Sequence, residues 1–180
     1  MNKKISGKIA FCGISAALSL VILLMTIVPI TEISLAALAG ILLIPTVIEF
    51  GRKYALAVFA VVSILALVLI PTVEGKGLYI AFFGYYPVLK SALESRRMHR
   101  LTEWGIKLAV FNGTVIVAYW LMLNVFGLPK DSFSIGGTSL LWVFLLIGNA
   151  VFFLYDRCLT GLVFKYMTVW QRHVHRLLKF

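Results

Sequence analysis

The chain has 180 residues, of which 61% are hydrophobic and only 13% charged, and its mean hydropathy is +0.99. That balance excludes an ordinary water-soluble domain and places the chain in a bilayer. A formal net charge of +10 would point to nucleic acid in a soluble protein, but in a membrane protein the same surplus of Lys and Arg records topology and contact with anionic headgroups, so no nucleic-acid partner is expected.

Taken in order, the apolar segments predict an all-α, polytopic integral membrane protein. It is read as one transmembrane domain over 1–180, with six transmembrane helices at about 9–30, 33–48, 54–70, 78–93, 108–126 and 138–155. Each approaches the roughly 17–25 residues needed to cross a hydrocarbon core about 30 Å thick, the second to fourth being short. The opening "MNKKISGKIAFCGISAAL" has the basic head of a secretory signal, but its apolar run continues to Ile30, too far for a signal core, and is read as the first span. With the N-terminus in the cytoplasm, 15 of the 17 Lys and Arg fall on the inner side and only Lys76 and Lys130 outside. This asymmetry predicts both termini inside. Cys12 and Cys158 then lie near the reducing side, where a disulfide is not expected.

The connections "VPITEIS" and "EFGRK" are short enough to make antiparallel hairpins of the first three spans. The fourth span carries Gly77-x-x-x-Ala81 and Gly84, which favour close helix approach, and then Pro87, which predicts a kink. Lys90 follows, within reach of Glu49 at the inner end of the second span. After the sixth span, Leu159, Val163, Tyr166, Trp170, Val174 and Leu177 recur at steps of three and four. Lys165, Arg172, Arg176 and Lys179 fall elsewhere around the helix. That pattern predicts an amphipathic helix over about 159–180 lying at the inner interface against membrane lipid.

Chemistry has little to stand on. His173 and His175, two apart on a helix, point about 200° from each other, and no Cys or carboxylate completes a metal set. No phosphate-binding glycine loop, Ser-x-x-Lys, His-Glu-x-x-His or nucleophile elbow is present. No catalytic residue, metal site or cofactor is therefore expected, and the protein is not read as an enzyme.

Polar groups inside spans are more informative, because hydrocarbon offers them no partner. Asn149 is central in the last span, and Asn124 lies at the outer end of the fifth, level with Glu32, Glu74, Lys76, Tyr79, Lys130, Asp131 and Ser132. Glu32, Glu74, Tyr79, Asn124 and Asn149 are the candidate ligands for a small, partly planar molecule entering from outside. The plain alternative is a set of solvated loop ends, with Asn149 in an interhelical hydrogen bond. The first span offers a second kind of surface, a small-residue face of Gly13, Ala16 and Ala17, and similar spacings recur at Ala36-x-x-x-Gly40 and Ala109-x-x-x-Gly113. Packing within the chain is the simpler reading of any one of them.

Six spans, both ends inside, a basic N-terminus and the small-residue face Gly13-x-x-x-Ala17 resemble the substrate-binding S component of energy-coupling factor transporters. The stretch "AGILLIPTVIEFGRKYALAVFAVVSILALVLIP" is similar to the helix two to three region of those proteins. The resemblance implies a bacterial inner-membrane subunit that captures a vitamin-like nutrient. It also implies that Gly13, Ala16 and Ala17 pack on a transmembrane coupling subunit served by two ATPases. Arg96 and Arg97, in the basic cytoplasmic stretch, are further candidate partner contacts. The alternative is a non-transporting accessory or scaffold protein that docks a partner through this basic surface.

Overall fold

A computed structural model of the chain describes residues 3–28, 30–96, 98–124, 134–135, 138–139, 141–172 and 174, with side chains omitted at 3–4, 121–124, 134–135, 138–139 and 141–144. The fold is helical, as expected, apart from a two-residue antiparallel ladder in the outer loop that pairs Ser134 with Ser139 and Ile135 with Thr138. Five helices among the described residues are long and apolar enough to cross a membrane: Ile5–Ile27, Glu32–Phe50, Arg52–Leu69, Arg100–Trp120 and Leu145–Trp170.

The chain forms two compact units, one of residues 1–97 with 161–180 and the other of residues 98–160. The first begins with α1 (Lys3–Leu24), which ends in a 3-10 turn at Met25–Ile27. Helices α2 (Glu32–Ile41) and α3 (Leu43–Phe50) occupy the second predicted span. The sequence reading had one helix here, and the break has a local cause. Pro45 has no N–H to donate to the carbonyl of Ile41, and its ring crowds that same carbonyl, so α2 stops at Ile41. Gly51, at φ +88°, makes the tight turn into α4 (Arg52–Leu69), a backbone conformation that a Cβ would strain.

The fourth predicted span departs further from expectation. It is built of three pieces: α5 (Val73–Leu78), a π-helical turn at Tyr79–Phe83, and α6 (Tyr86–Glu94). Pro87 does not kink a continuing helix; it sits in the first turn of a new one, where its missing N–H has no intrahelical partner to lose. This broken segment is held by close backbone approach. A Cβ on Gly40 of α2 would lie 2.2 Å from the Phe83 carbonyl oxygen, and one on Gly75 would lie 2.5 Å from the Thr26 hydroxyl. The core of the first unit is correspondingly lined by small and aromatic side chains, among them Ala36, Ala39, Ala55, Ala66, Tyr79 and Tyr86, all wholly buried.

The second unit contains α7 (Arg100–Asn124) and the first part of α8 (Leu141–Lys165). The two helices are zipped by aromatic pairs: Phe111 stacks on Phe152 with ring centroids 4.8 Å apart, and Trp104 on Phe153 at 5.1 Å. Helix α8 does not end near Tyr155. It runs unbroken past Asp156 and Arg157 to Lys165 and continues through a π-helical turn at Tyr166–Trp170, so the last span and the expected interfacial helix are one rod. Leu159 and Tyr166 of the predicted apolar stripe are buried, while Trp170 is 58% exposed. Leu177 lies outside the described residues.

The close approach at Gly40 gives a direct test. Gly40→Ala must push two backbones apart and should cost about 1–3 kcal/mol, whereas Gly77→Ala, with open space at its Cβ, should be neutral or stabilise by up to about 1 kcal/mol through helix propensity. Thermal denaturation of the two variants in the same detergent measures the contrast.

Candidate functional site

Helix α1 shows how polar groups sort the faces of a span. Ser19 donates to the Ala39 carbonyl at 3.0 Å, and Thr46 donates to the Ser15 hydroxyl at 3.2 Å. Both serines are thereby turned onto α2 and α3. Residues two apart on a helix point about 200° from each other, so Gly13 and Ala17, each two positions before one of these serines, face outward. Both are exposed, Ala16 is half-buried, and nothing lies within 4 Å of the Cβ position of Gly13. The stripe that packs within the chain is the other one, Ala36 and Gly40. Beside Gly13 an apolar groove of 260 Å³ runs between α1 and α4, walled by Ile9, Cys12, Ala16, Tyr54, Ala57 and Val61 among others.

The candidate ligand residues have separate environments. Glu32 opens α2 and is half-buried, Glu74 lies in the first turn of α5 and is exposed, and neither carboxylate makes an ion pair among the described residues. Around them this end of the first unit is closed by hydrogen bonds. Thr26 donates to the Leu23 carbonyl at 2.6 Å and bonds the Thr72 hydroxyl at 2.9 Å, and Lys76 donates to the Ile70 carbonyl at 2.9 Å. Tyr79 is wholly buried, its ring 5.9 Å from that of Phe59, and its hydroxyl has no hydrogen-bond partner among the described residues. Ser63, one turn beyond Phe59 on α4, has a second buried hydroxyl without a partner. A buried, unpaired hydroxyl costs about 1–3 kcal/mol, so Tyr79 and Ser63 are the two places in this unit where a polar ligand atom or a water would gain most. The groove beside Gly13 is not lined by Glu32, Glu74 or Tyr79.

In the second unit Asn149 donates from Nδ2 to the Leu145 carbonyl at 2.8 Å, bonding its own helix, while its Oδ1 is buried without a partner. The expected interhelical bond is absent from this residue among the described ones. Asn112 on α7 likewise has a buried Oδ1 without a partner. Asn124 closes α7 and its side chain lies outside the described residues, as does Arg97; Arg96 is exposed.

Two charged groupings were missed by the sequence reading. Lys107, placed there in a loop, is 1% exposed and bonds Glu103 at 2.6 Å and Asp156 at 3.3 Å, with the Trp104 ring 5.5 Å from its Nζ. Asp156 is itself 3% exposed. The available signal was Asp156 itself, a carboxylate directly after the predicted end of the last span with apolar residues resuming beyond it. In the first unit, Lys90 is buried and bonds Glu94 at 2.6 Å, and the Tyr166 hydroxyl donates to Glu49 at 3.2 Å. No group of three or more His, Cys, Asp or Glu among the described residues is placed to hold a metal. Among the described residues the geometry is that of a helical membrane protein with a buried Lys107–Asp156 ion pair, amide and hydroxyl oxygens without a partner, and an unpacked small-residue stripe on α1. No family model, curated protein or solved structure matches the chain.

Removing one member of a buried pair leaves the other charge without its partner, at about 3–5 kcal/mol. Lys107→Met, which takes the ammonium from both Glu103 and Asp156, should lower stability by roughly that amount; Asp156→Asn, which leaves Lys107 on Glu103, should cost less, and the double variant Lys107→Met/Asp156→Asn should recover part of the Lys107→Met loss. A double-mutant cycle from denaturation in mixed micelles checks both statements.

Proposed function

We propose that the chain is the substrate-capture subunit of a small-nutrient uptake transporter in a bacterial inner membrane, working with a separate transmembrane coupling subunit and two ATPases. In this reading the chain crosses the membrane six times with both termini cytoplasmic, the broken α5–α6 segment supplying the fourth crossing. The part of α8 beyond Leu159 then continues the same rod to the inner boundary. The observation that carries the proposal is the outward face of Gly13 and Ala17 beside an apolar groove. Small residues let a second helix approach closely in lipid, where packing and not water exclusion drives association. The captured molecule would be vitamin-like, meeting Glu32, Glu74, Tyr79, Asn124 and Asn149. Tyr79 supports this best, as a buried hydroxyl still without a partner.

A second reading, a scaffold that docks a cytoplasmic partner, draws on the exposed Arg96 beside the Arg52–Ser95 hydrogen bond of 3.3 Å. The two readings separate experimentally. A transport subunit should be stabilised by one member of a vitamin panel, by about 2.7 kcal/mol at 100 times its dissociation constant, and should co-purify with a membrane subunit and ATPases. Gly13→Leu, which meets no atom of its own chain within 4 Å of the Cβ position, should leave the melting temperature unchanged and abolish that co-purification. Recovery of the wild-type chain alone from native membranes, with no stabilisation by any vitamin, would refute the transport reading.

A further inference from the structure

A second groove lies in the first unit, between the α2–α3 break and the end of the last helix. Its walls are Ile41, Leu42, Ile44, Pro45, Leu162 and Tyr166, and Trp170 and Lys165 complete its lining. Two features suit it to a lipid. It is shallow, 90 Å³, and its walls are bulky branched and aromatic side chains; a neighbouring helix would need small residues there to approach, whereas a thin, flexible acyl chain does not. Its one charged lining residue is Lys165, which is exposed and makes no ion pair among the described residues. The surrounding sequence is of one sign: from Arg157 onward there is no Asp or Glu, and Arg157, Lys165, Arg172, Arg176 and Lys179 are all basic.

We propose that this groove seats part of one acyl chain of an anionic phospholipid, with the lipid phosphate on the Lys165 ammonium and the chain against Trp170. The break at Ile41 makes room for it, because α2 and α3 do not continue as one smooth cylinder at Leu42 and Pro45. Tyr166, fixed by its bond to Glu49, forms one wall. Lys165 places a compact positive charge at the edge, where a phosphate is bound as a point charge. The proposal is independent of what the protein transports.

The test uses the full chain in lipid nanodiscs of phosphatidylcholine. Phosphatidylglycerol with brominated acyl chains, or phosphatidylcholine with the same chains, is added in increasing proportion and tryptophan quenching is read. Subtracting the signal of Trp170→Phe isolates Trp170 from the other tryptophans. Half-quenching of Trp170 should need about fivefold less brominated phosphatidylglycerol than phosphatidylcholine, the preference expected of one lysine at an anionic headgroup. Lys165→Gln should bring the ratio to one. Should that variant fail to fold, raising the salt concentration on the wild-type protein should shrink the ratio, because the contact is exposed to screening. Equal quenching by the two lipids, a preference that survives both Lys165→Gln and high salt, or no quenching of Trp170 by either lipid, as when a protein segment covers it, would overturn the proposal.

Discussion

Hydrocarbon supplies no hydrogen-bond partner, and the arrangement of this molecule follows from the internal partners that a few of its buried polar side chains find. On α1 the serines at 15 and 19 decide the rotation of the helix: their bonds to Thr46 and Ala39 point one face inward, and the apolar residues follow. At the far end of α3, Glu49 is met by Tyr166, and on α6 Lys90 by Glu94. On α7 and α8, Lys107 sits between Glu103 and Asp156. Apolar contacts fill the volume, but in a solvent as apolar as the side chains they discriminate poorly between alternative rotations of a helix. The few polar bonds discriminate strongly.

The same logic separates the small-residue stripes. Ala36 and Gly40 are covered because the backbone of Phe83 lies directly on them. Gly13 and Ala17 are uncovered because the opposite face of their helix is committed to hydroxyl bonds. An identical spacing pattern thus serves cohesion in one helix and is left available in another. Gly113, half-buried but with nothing near its Cβ position, shows that open space at a glycine is not rare in this chain; what distinguishes Gly13 is the groove beside it.

The long runs of α1, α4, α7 and α8 were legible in the sequence because apolar length is a one-dimensional property. The breaks were less so. Pro45 carried the signal for the end of α2, since the lost bond falls four residues earlier, but a continuous apolar stretch concealed it. The π-helical turn at Tyr79–Phe83 is not written locally at all: it coincides with the place where Gly40 admits the Phe83 backbone, a contact 43 positions distant in the chain. Of the candidate site, Tyr79 was read as part of an outer rim level with Glu32 and Glu74, whereas it is wholly buried with a hydroxyl that has no partner among the described residues, a burial that its position at the start of an apolar run did not reveal. Lys107 with Asp156 was not legible, because pairing two charges 49 positions apart requires knowing that α7 and α8 run side by side. Gly13 was legible as a stripe, and its outward direction could have been inferred from the hydroxyls two positions on.

The buried ion pair has a consequence for how the second unit holds its axial setting. Two apolar helices can slide past one another in lipid at small cost, since one turn of leucines and phenylalanines looks much like the next. A slip of a single turn, about 5.4 Å, would instead draw the Asp156 carboxylate away from the Lys107 ammonium, which stays with Glu103 on its own helix. The pair therefore acts as a vernier stop, fixing the depth of α7 against α8 where the aromatic stacks alone would tolerate several.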